Sequence, residues 1–298
     1  MFRCFQGVFY GARPILVRIR KIAFGDIIVN FLCKGIDWSG FDGGKGEPLV
    51  FLHGFPFDQR LYRSSSQPLT DSYRVIIPDL PGFGESRFRP GFVPNRFEMS
   101  EYADGLAELL DKLGESKALV CGLSMGGYIA MQFFRRHLDR LSGLIFCDTR
   151  STPDSPVASK KRSLLADSVY QTGVRPLAAQ MIPSLLSPTT LSSNQEIVIF
   201  LTEMISEQDP SGVAAAARGM AVRDDSTDYL KEITVPTLFL AGEHDQISPP
   251  QVMREMAEAV ADSEFLTVPD SGHLPPLENP AFFTKAVRRF ADRVYNRA

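Results

Sequence analysis

An α/β fold is predicted for this chain: a mostly parallel twisted sheet with helices on both faces, plus an inserted helical segment. Three observations carry that expectation. Strand-like and helix-like segments alternate over most of the sequence, as they do when parallel strands are joined by crossover helices. The strand-like segments "PLVFLHG", "KALVCGLS" and "TVPTLFLAG" are short, continuous apolar runs, the pattern of strands covered on both faces. Between 150 and 230 the alternation stops, and helix-like segments follow one another without a convincing strand.

Taken in order, a first strand is expected near 17–24, followed by a strand in "DIIVNFLCKG" and a Gly-rich loop in "IDWSGFDGGKGEP". "PLVFLHG" and "YRVIIPDLPGFGES" are strands, the second ending in a loop punctuated by Pro and Gly. Residues 100–113 place Tyr102, Leu106, Leu109, Leu110 and Leu113 on one helical face, with Ser100 as N-cap and Gly114 as the stop. The strand "KALVCGLS", a helix over 125–137 and the strand "LSGLIFCDT" follow. Helices are expected near 158–171, 174–186, 194–207 and 211–222. The pattern then returns as "TVPTLFLAGEHD" (strand), 249–260 (helix), "SEFLTVPDSGH" (strand) and 280–294 (helix), the last capped by Asn279 with Pro280 at its first position. The implied organisation is an N-terminal tail (1–16), a core made of 17–149 and 231–298, and a helical cap inserted at 150–230.

Composition narrows the function classes. With 298 residues the chain can bury a large core, and its net charge of −3 gives no electrostatic reason to bind nucleic acid. No apolar run reaches the ~18 residues of a membrane span. The four cysteines, at 4, 33, 121 and 147, show neither C-x-x-C pairing nor zinc-like spacing. Cys121 and Cys147 lie in strand-like runs and are expected to be small core residues in a reducing compartment. The first 25 residues hold five basic residues and no acid. That composition is faintly transit-like, but arginines interrupt the apolar positions too often for a secretory segment. A cytoplasmic protein with an extra N-terminal tail is expected. "GGKG" at 43–46 is not a phosphate loop, because it lacks a Ser or Thr after the lysine and precedes a strand.

The stretch "LVCGLSMGGYIAM" at 119–131 carries the chemistry. A strand that reverses into a helix within a few residues forces its apex residue into a sparsely populated backbone conformation and demands small neighbours. Gly122, Gly126 and Gly127 meet that demand, and Ser124 stands at the apex. A serine hydroxyl attacks at neutral pH only when a base removes its proton. Imidazole suits that task, and a carboxylate fixes its tautomer. Strand ends supply these groups in the order Ser124, Asp245, His273. Asp148, at an earlier strand end, is the rival acid, and His244 is a bystander because adjacent side chains diverge. His53 and Asp79 are expected to fix loop geometry. Met125, at the helix start, offers a backbone N–H to an oxyanion. Four histidines without paired spacing make no zinc site, so no metal and no cofactor are expected.

"GLSMGG" matches the G-x-S-x-G turn, and Ser…Asp…His is the chain order of the α/β-hydrolases. Over about residues 22–294 the sequence resembles that family, with "FLHGFPFD", "PDLPGFGES", "AGEHDQISPP" and "DSGHLPPLENP" standing where relatives carry comparable blocks. It is most similar to capped esterase and lactonase branches, including proteins like 3-oxoadipate enol-lactonase. The resemblance implies an α/β-hydrolase fold with a helical cap, a Ser124–Asp245–His273 triad, and the amide of Phe55 as second oxyanion donor. It also implies a small ester or lactone as substrate, cleaved through an acyl-serine.

Relatives with dehalogenase or epoxide-hydrolase activity use aspartate at the Ser124 position, which disfavours those reactions. Carbon–carbon bond hydrolysis and perhydrolysis of the haloperoxidase kind use the same triad and stay open, as does a non-catalytic ligand-binding receptor on the same fold. Of the basic residues in the cap, Arg150, Lys160, Lys161, Arg162, Arg175, Arg218 and Arg223, most are expected on solvated helix faces. Arg150 is the candidate substrate anchor because it closely follows a strand end. Because 1–16 precede the expected sheet, a chain starting at Val17 should remain soluble and active. Loss of solubility on that truncation would show that the tail packs.

Overall fold

The computed structural model describes residues 18–21, 27–33, 36–89, 91 and 93–296. The expected tail at 1–16 lies outside the described residues. Among the described residues there are ten strands: β1 (Arg18–Lys21), β2 (Ile27–Cys33), β3 (Ile36–Trp38), β4 (Gly40–Gly43), β5 (Pro48–Leu52), β6 (Arg74–Pro78), β7 (Ala118–Leu123), β8 (Leu141–Cys147), β9 (Thr237–Gly242) and β10 (Ser263–Val268). They form one sheet in the order β1-β2-β4-β6-β5-β7-β8-β9-β10, with β3 paired to β2. From β6 through β10 every neighbouring pair is parallel, whereas the strands leading up to β6 pair antiparallel. Every residue of β5, β7 and β9 is buried, as expected for parallel strands covered on both faces.

The helices are α1 (Arg63–Ser66), α2 (Met99–Leu113), α3 (Met125–His137), α4 (Pro156–Thr172), α5 (Arg175–Leu185), α6 (Pro188–Ser193), α7 (Gln195–Ser206), α8 (Pro210–Ala221), α9 (Pro250–Glu258), α10 (Pro275–Glu278) and α11 (Pro280–Val294). Two expectations are corrected. "IDWSGFDGGKGEP" is not a loop throughout, since it contains β3 and β4. Its glycines look like turn punctuation, but antiparallel pairing of β4 with β6 makes it a strand despite poor strand propensity. The N-cap of α2 is Glu98 rather than Ser100. Glu98 and Glu101 form a reciprocal capping box there, and Gly114 ends the helix at φ 75°. At α11 Asn279 Oδ1 accepts from Phe282 N at 3.2 Å, with Pro280 at the first position.

After β5 the chain crosses to β6 on one side, and β7 lies on the other. Loops at the carboxyl ends of β5 and β7 therefore flank a switch point, where open parallel sheets place their crevice. Five helices, α4 to α8, stand between β8 and β9; α4 packs on α8 and α5 on α7. Val169, Leu177, Met204 and Met220 are buried and continue the core into these helices. Contact with the loop after β6 is backbone to backbone: a Cβ on Gly212 would lie 1.7 Å from Gly82 O. No helix among the described residues is long and apolar enough to cross a membrane.

The loop after β5 is held by a buried histidine. His53 Nδ1 lies 2.9 Å from Gly54 O, and Leu80 N donates to Nε2 at 2.9 Å, so the ring is neutral with its proton on Nδ1. Burial lowers its pKa from 6.5 to about 4. In the unfolded chain the ring takes up a proton near its ordinary pKa, and in the folded chain only near 4. Stability from this group is therefore complete above about 6.5 and falls as pH drops toward 4. Acidifying from pH 7.5 to 5 should cost about 2 kcal/mol through His53 alone. Urea unfolding at both pH values should show that loss, and His53→Gln should remove most of the difference. An equal acid slope in both proteins would contradict the assignment.

Candidate active site

Ser124 joins β7 to α3 at φ 54°, ψ −111°, outside the ordinary regions for a residue with a Cβ. The expected steric reason holds. A Cβ on Gly122 would lie 2.2 Å from Gly126 O, and one on Gly126 would lie 2.2 Å from Leu52 O. The turn is pinned by its backbone: Ser124 N donates to Cys147 O at 2.9 Å, and Gly127 N to Ser124 O at 2.9 Å. Thr149 Oγ1 donates to the same Ser124 carbonyl at 2.8 Å. Ser124 itself is only half-buried.

Asp245 follows β9 and His273 follows β10, and the structure brings them into contact. His273 Nδ1 lies 2.8 Å from Asp245 Oδ2, with both side chains almost fully buried. The other carboxylate oxygen accepts from Ile247 N at 2.8 Å. Burial raises the Asp245 pKa, but the charge and hydrogen bond of His273 outweigh it and hold the carboxyl below its usual range. With Nδ1 committed to Asp245, Nε2 is the ring nitrogen left for chemistry.

The expected rival, Asp148, does not contact His273 through an ion pair. It is fully buried at φ 43°, and its Oδ1 accepts from Gly242 N at 2.7 Å. Cys147 Sγ lies 3.2 Å from its Oδ2. Burial first, and then the charge of Asp245, push its pKa well above the usual carboxylate range. His244 is exposed, 3.9 Å from Glu243. Cys121 and Cys147 are buried free thiols in strands. Asp79 accepts from Gln59 N at 2.8 Å and Glu85 N at 3.0 Å, a loop-fixing arrangement.

The loop carrying Phe55 lies against the serine turn, because a Cβ on Gly54 would sit 3.3 Å from Ser124 Cβ. Among the described residues, neither the Phe55 N–H nor the Met125 N–H has an acceptor. The basic residues separate clearly. Lys160, Lys161 and Arg175 are exposed. Arg162 and Arg223 both pair with Asp154, and Arg218 pairs with Asp167. Arg150 is half-buried, with no ion pair among the described residues.

Among the described residues, two groups of side chains have metal-ligand atoms within 4.8 Å of one another: Asp148, Asp245 and His273, all buried, and Glu243, His244 and Asp270, all exposed. In the buried group the donor atoms are already engaged with one another and with backbone N–H groups.

Sequence reasoning missed Glu278. Its Oε1 accepts from Gly272 N at 2.8 Å and Leu274 N at 3.3 Å, on either side of His273. Oε2 accepts from Ser187 N at 2.7 Å, between α5 and α6. One carboxylate thus ties the histidine loop to the inserted helices. The signal was available in "GHLPPLENP", a lone acid five residues past the histidine.

The profile described as alpha/beta hydrolase fold matches residues 47–280. A thermophilic esterase from Thermogutta terrifontis, solved with malate bound, is 43% identical and superposes with a TM-score of 0.86 over 90% of this chain and 98% of that one. The enol-lactonase from Burkholderia xenovorans LB400 is 24% identical, with a TM-score of 0.79 over 87% and 97% of the two chains, and shows likeness of fold alone. Pimeloyl-[acyl-carrier protein] methyl ester esterase from Nitrosospira multiformis is 27% identical over 266 residues, 83% of this chain and 95% of that protein.

Proposed function

Because this chain belongs to the α/β-hydrolase fold family and is a hydrolase similar to esterases, we propose that it cleaves a small carboxylic ester through an acyl-enzyme on Ser124. The observation that carries this reading is a strained, half-buried serine at the carboxyl edge of the sheet whose buried Asp245–His273 pair leaves Nε2 free. In the proposed reaction His273 Nε2 takes the Ser124 proton as Oγ attacks the carbonyl carbon. The oxyanion forms against the N–H groups of Phe55 and Met125, which are free to donate. His273 then protonates the departing alcohol, and later activates the water that releases the acid. Asp245 stays ionised throughout, holding the Nδ1–H tautomer. A lactone is an internal ester and would pass through the same intermediate.

Residues 150–230 are proposed as a cap that selects substrate, with the core formed by 17–149 and 231–298. Within it the half-buried Arg150 is the proposed anchor for a carboxylate on the substrate, because Arg162, Arg218 and Arg223 are already paired with aspartates. Turnover of short acyl esters, lactones and enol-lactones, compared with and without a free carboxylate, ranks these substrates. Carbon–carbon bond hydrolysis and perhydrolysis are assayed on the same panel.

Ser124→Ala should lower kcat by on the order of 10⁴ to 10⁶ with the fold intact by circular dichroism. A fluorophosphonate should label the wild-type protein and not this variant, whereas a non-catalytic receptor would leave both unlabelled. Activity above a tenth of wild type in Ser124→Ala would remove Ser124 from the role. Asp245→Asn should lower kcat by about 10⁴, since the amide favours the wrong imidazole tautomer. Incubation with a chelator should change nothing, and inactivation by EDTA with recovery on adding zinc would overturn the metal-free mechanism.

A further inference from the structure

Beside the proposed triad lies a second buried carboxyl group that the mechanism does not use. Asp148, Asp245 and His273 each place one polar side-chain atom within 4.8 Å of the other two, and all three residues are buried. Two buried carboxylates this close repel each other unless one carries a proton. The surroundings decide which. Asp245 receives His273 Nδ1–H at 2.8 Å and Ile247 N–H at 2.8 Å, so its negative charge is well solvated by donors. Asp148 receives one backbone N–H, from Gly242, and the weak thiol of Cys147.

No lysine or arginine among the described residues forms an ion pair with Asp148. The other titratable groups facing this cluster are Tyr62, from the segment after β5, and Cys121 on β7. Both are neutral at physiological pH, because burial raises the pKa of each. Asp245 has the imidazole Nδ1–H as its partner, and among the described residues Asp148 has no basic side chain paired with it.

We propose that Asp148 is a positioning residue that keeps its proton and donates it in a hydrogen bond to Asp245, holding from behind the carboxylate that orients His273. Its place is built by the fold. β8 and β9 are adjacent parallel strands, so the residue after β8 reaches the start of the loop after β9, and Asp148 N donates to Leu240 O at 3.0 Å. The left-handed conformation of Asp148 is sustained by that bond and by the Gly242 contact. The consequence for the reaction is geometric: Asp245 is fixed from His273, Ile247 and Asp148 at once, and has no freedom to turn away from the ring.

The inference rests on Asp245 and His273 acting together in catalysis, and the experiment separates the two claims. Wild type, D148N, D148L and D245N are compared on one activated ester across pH, with circular dichroism confirming the fold. Asparagine can still accept from Gly242 N and donate to Asp245, so D148N should lower kcat by less than about tenfold and leave the acid-limb midpoint where it is. Leucine cannot donate, so D148L should lower kcat by about tenfold to 100-fold with KM little changed.

Were Asp148 ionised instead, D148N would delete a negative charge near His273 and move the acid-limb midpoint down by roughly one pH unit. That shift overturns the proposal, as does a D148L variant that is folded and indistinguishable from D148N. Infrared difference spectra at neutral pH provide a readout independent of turnover. A protonated carboxyl carbonyl band present in wild type and missing from D148N is expected, and its absence overturns the assignment. If D245N keeps near-wild-type activity, the failure lies instead with the proposed triad.

Discussion

The site depends on one backbone constraint, the reversal from β7 into α3 at Ser124. A parallel strand buried on both faces must leave the sheet at its carboxyl end, and here it enters a helix with no intervening loop. The cost is a non-glycine residue at φ 54°, of the order of 1–3 kcal/mol for such a conformation. What sustains it is close approach of backbones. Gly122 meets the Gly126 carbonyl and Gly126 meets Leu52, so the turn is wedged against β5 as well as against its own helix. The Ser124 carbonyl is held by both Gly127 N and Thr149 Oγ1. The same wedge sets the Phe55 loop beside the serine, so a single steric arrangement governs the proposed nucleophile and both proposed oxyanion donors.

Charge is arranged as carefully as shape. His53, at the carboxyl end of β5, is held neutral by burial and by the Leu80 N–H on its Nε2, which leaves it a structural strut. His273, by contrast, is buried against the Asp245 carboxylate. The Glu278 carboxylate grips the backbone on both sides of His273 and reaches into the inserted helices through Ser187 N. A movement of those helices would therefore be felt at His273 through a short chain of charge-assisted hydrogen bonds. Arg223, the buried arginine of the insertion, is consumed by Asp154 and by the Met220 and Thr152 carbonyls. Arg150 is half-buried and forms no ion pair among the described residues.

Much of this was legible in the residues, for identifiable reasons. The central strands were readable because burial on both faces writes an uninterrupted apolar run, and α3 and α11 because their starts carry strong local signals, Ser-Met-Gly-Gly and Asn-Pro. The positions of Ser124, Asp245 and His273 followed from strand ends and chain order. β4 was not legible, because long-range pairing with β6 makes its glycine-containing segment a strand and leaves no local trace, and the three-residue β3, paired with the nearby β2, is too short to write a period of its own. Ser100 was a decoy for the N-cap: the decisive pair was Glu98 with Glu101, two residues upstream of it and one downstream. The contact between Asp148 and Asp245 could not be read either, since it arises from the adjacency of β8 and β9 across the whole inserted segment.

The central claim is that acyl transfer passes through Ser124, and trapping the intermediate tests it most directly. Wild-type protein mixed with a slowly deacylating activated ester and quenched in acid should carry one added acyl group by intact mass. Peptide mapping should place that group on Ser124. A protein that turns the ester over with no acyl adduct, or with the adduct on another residue, would contradict the account.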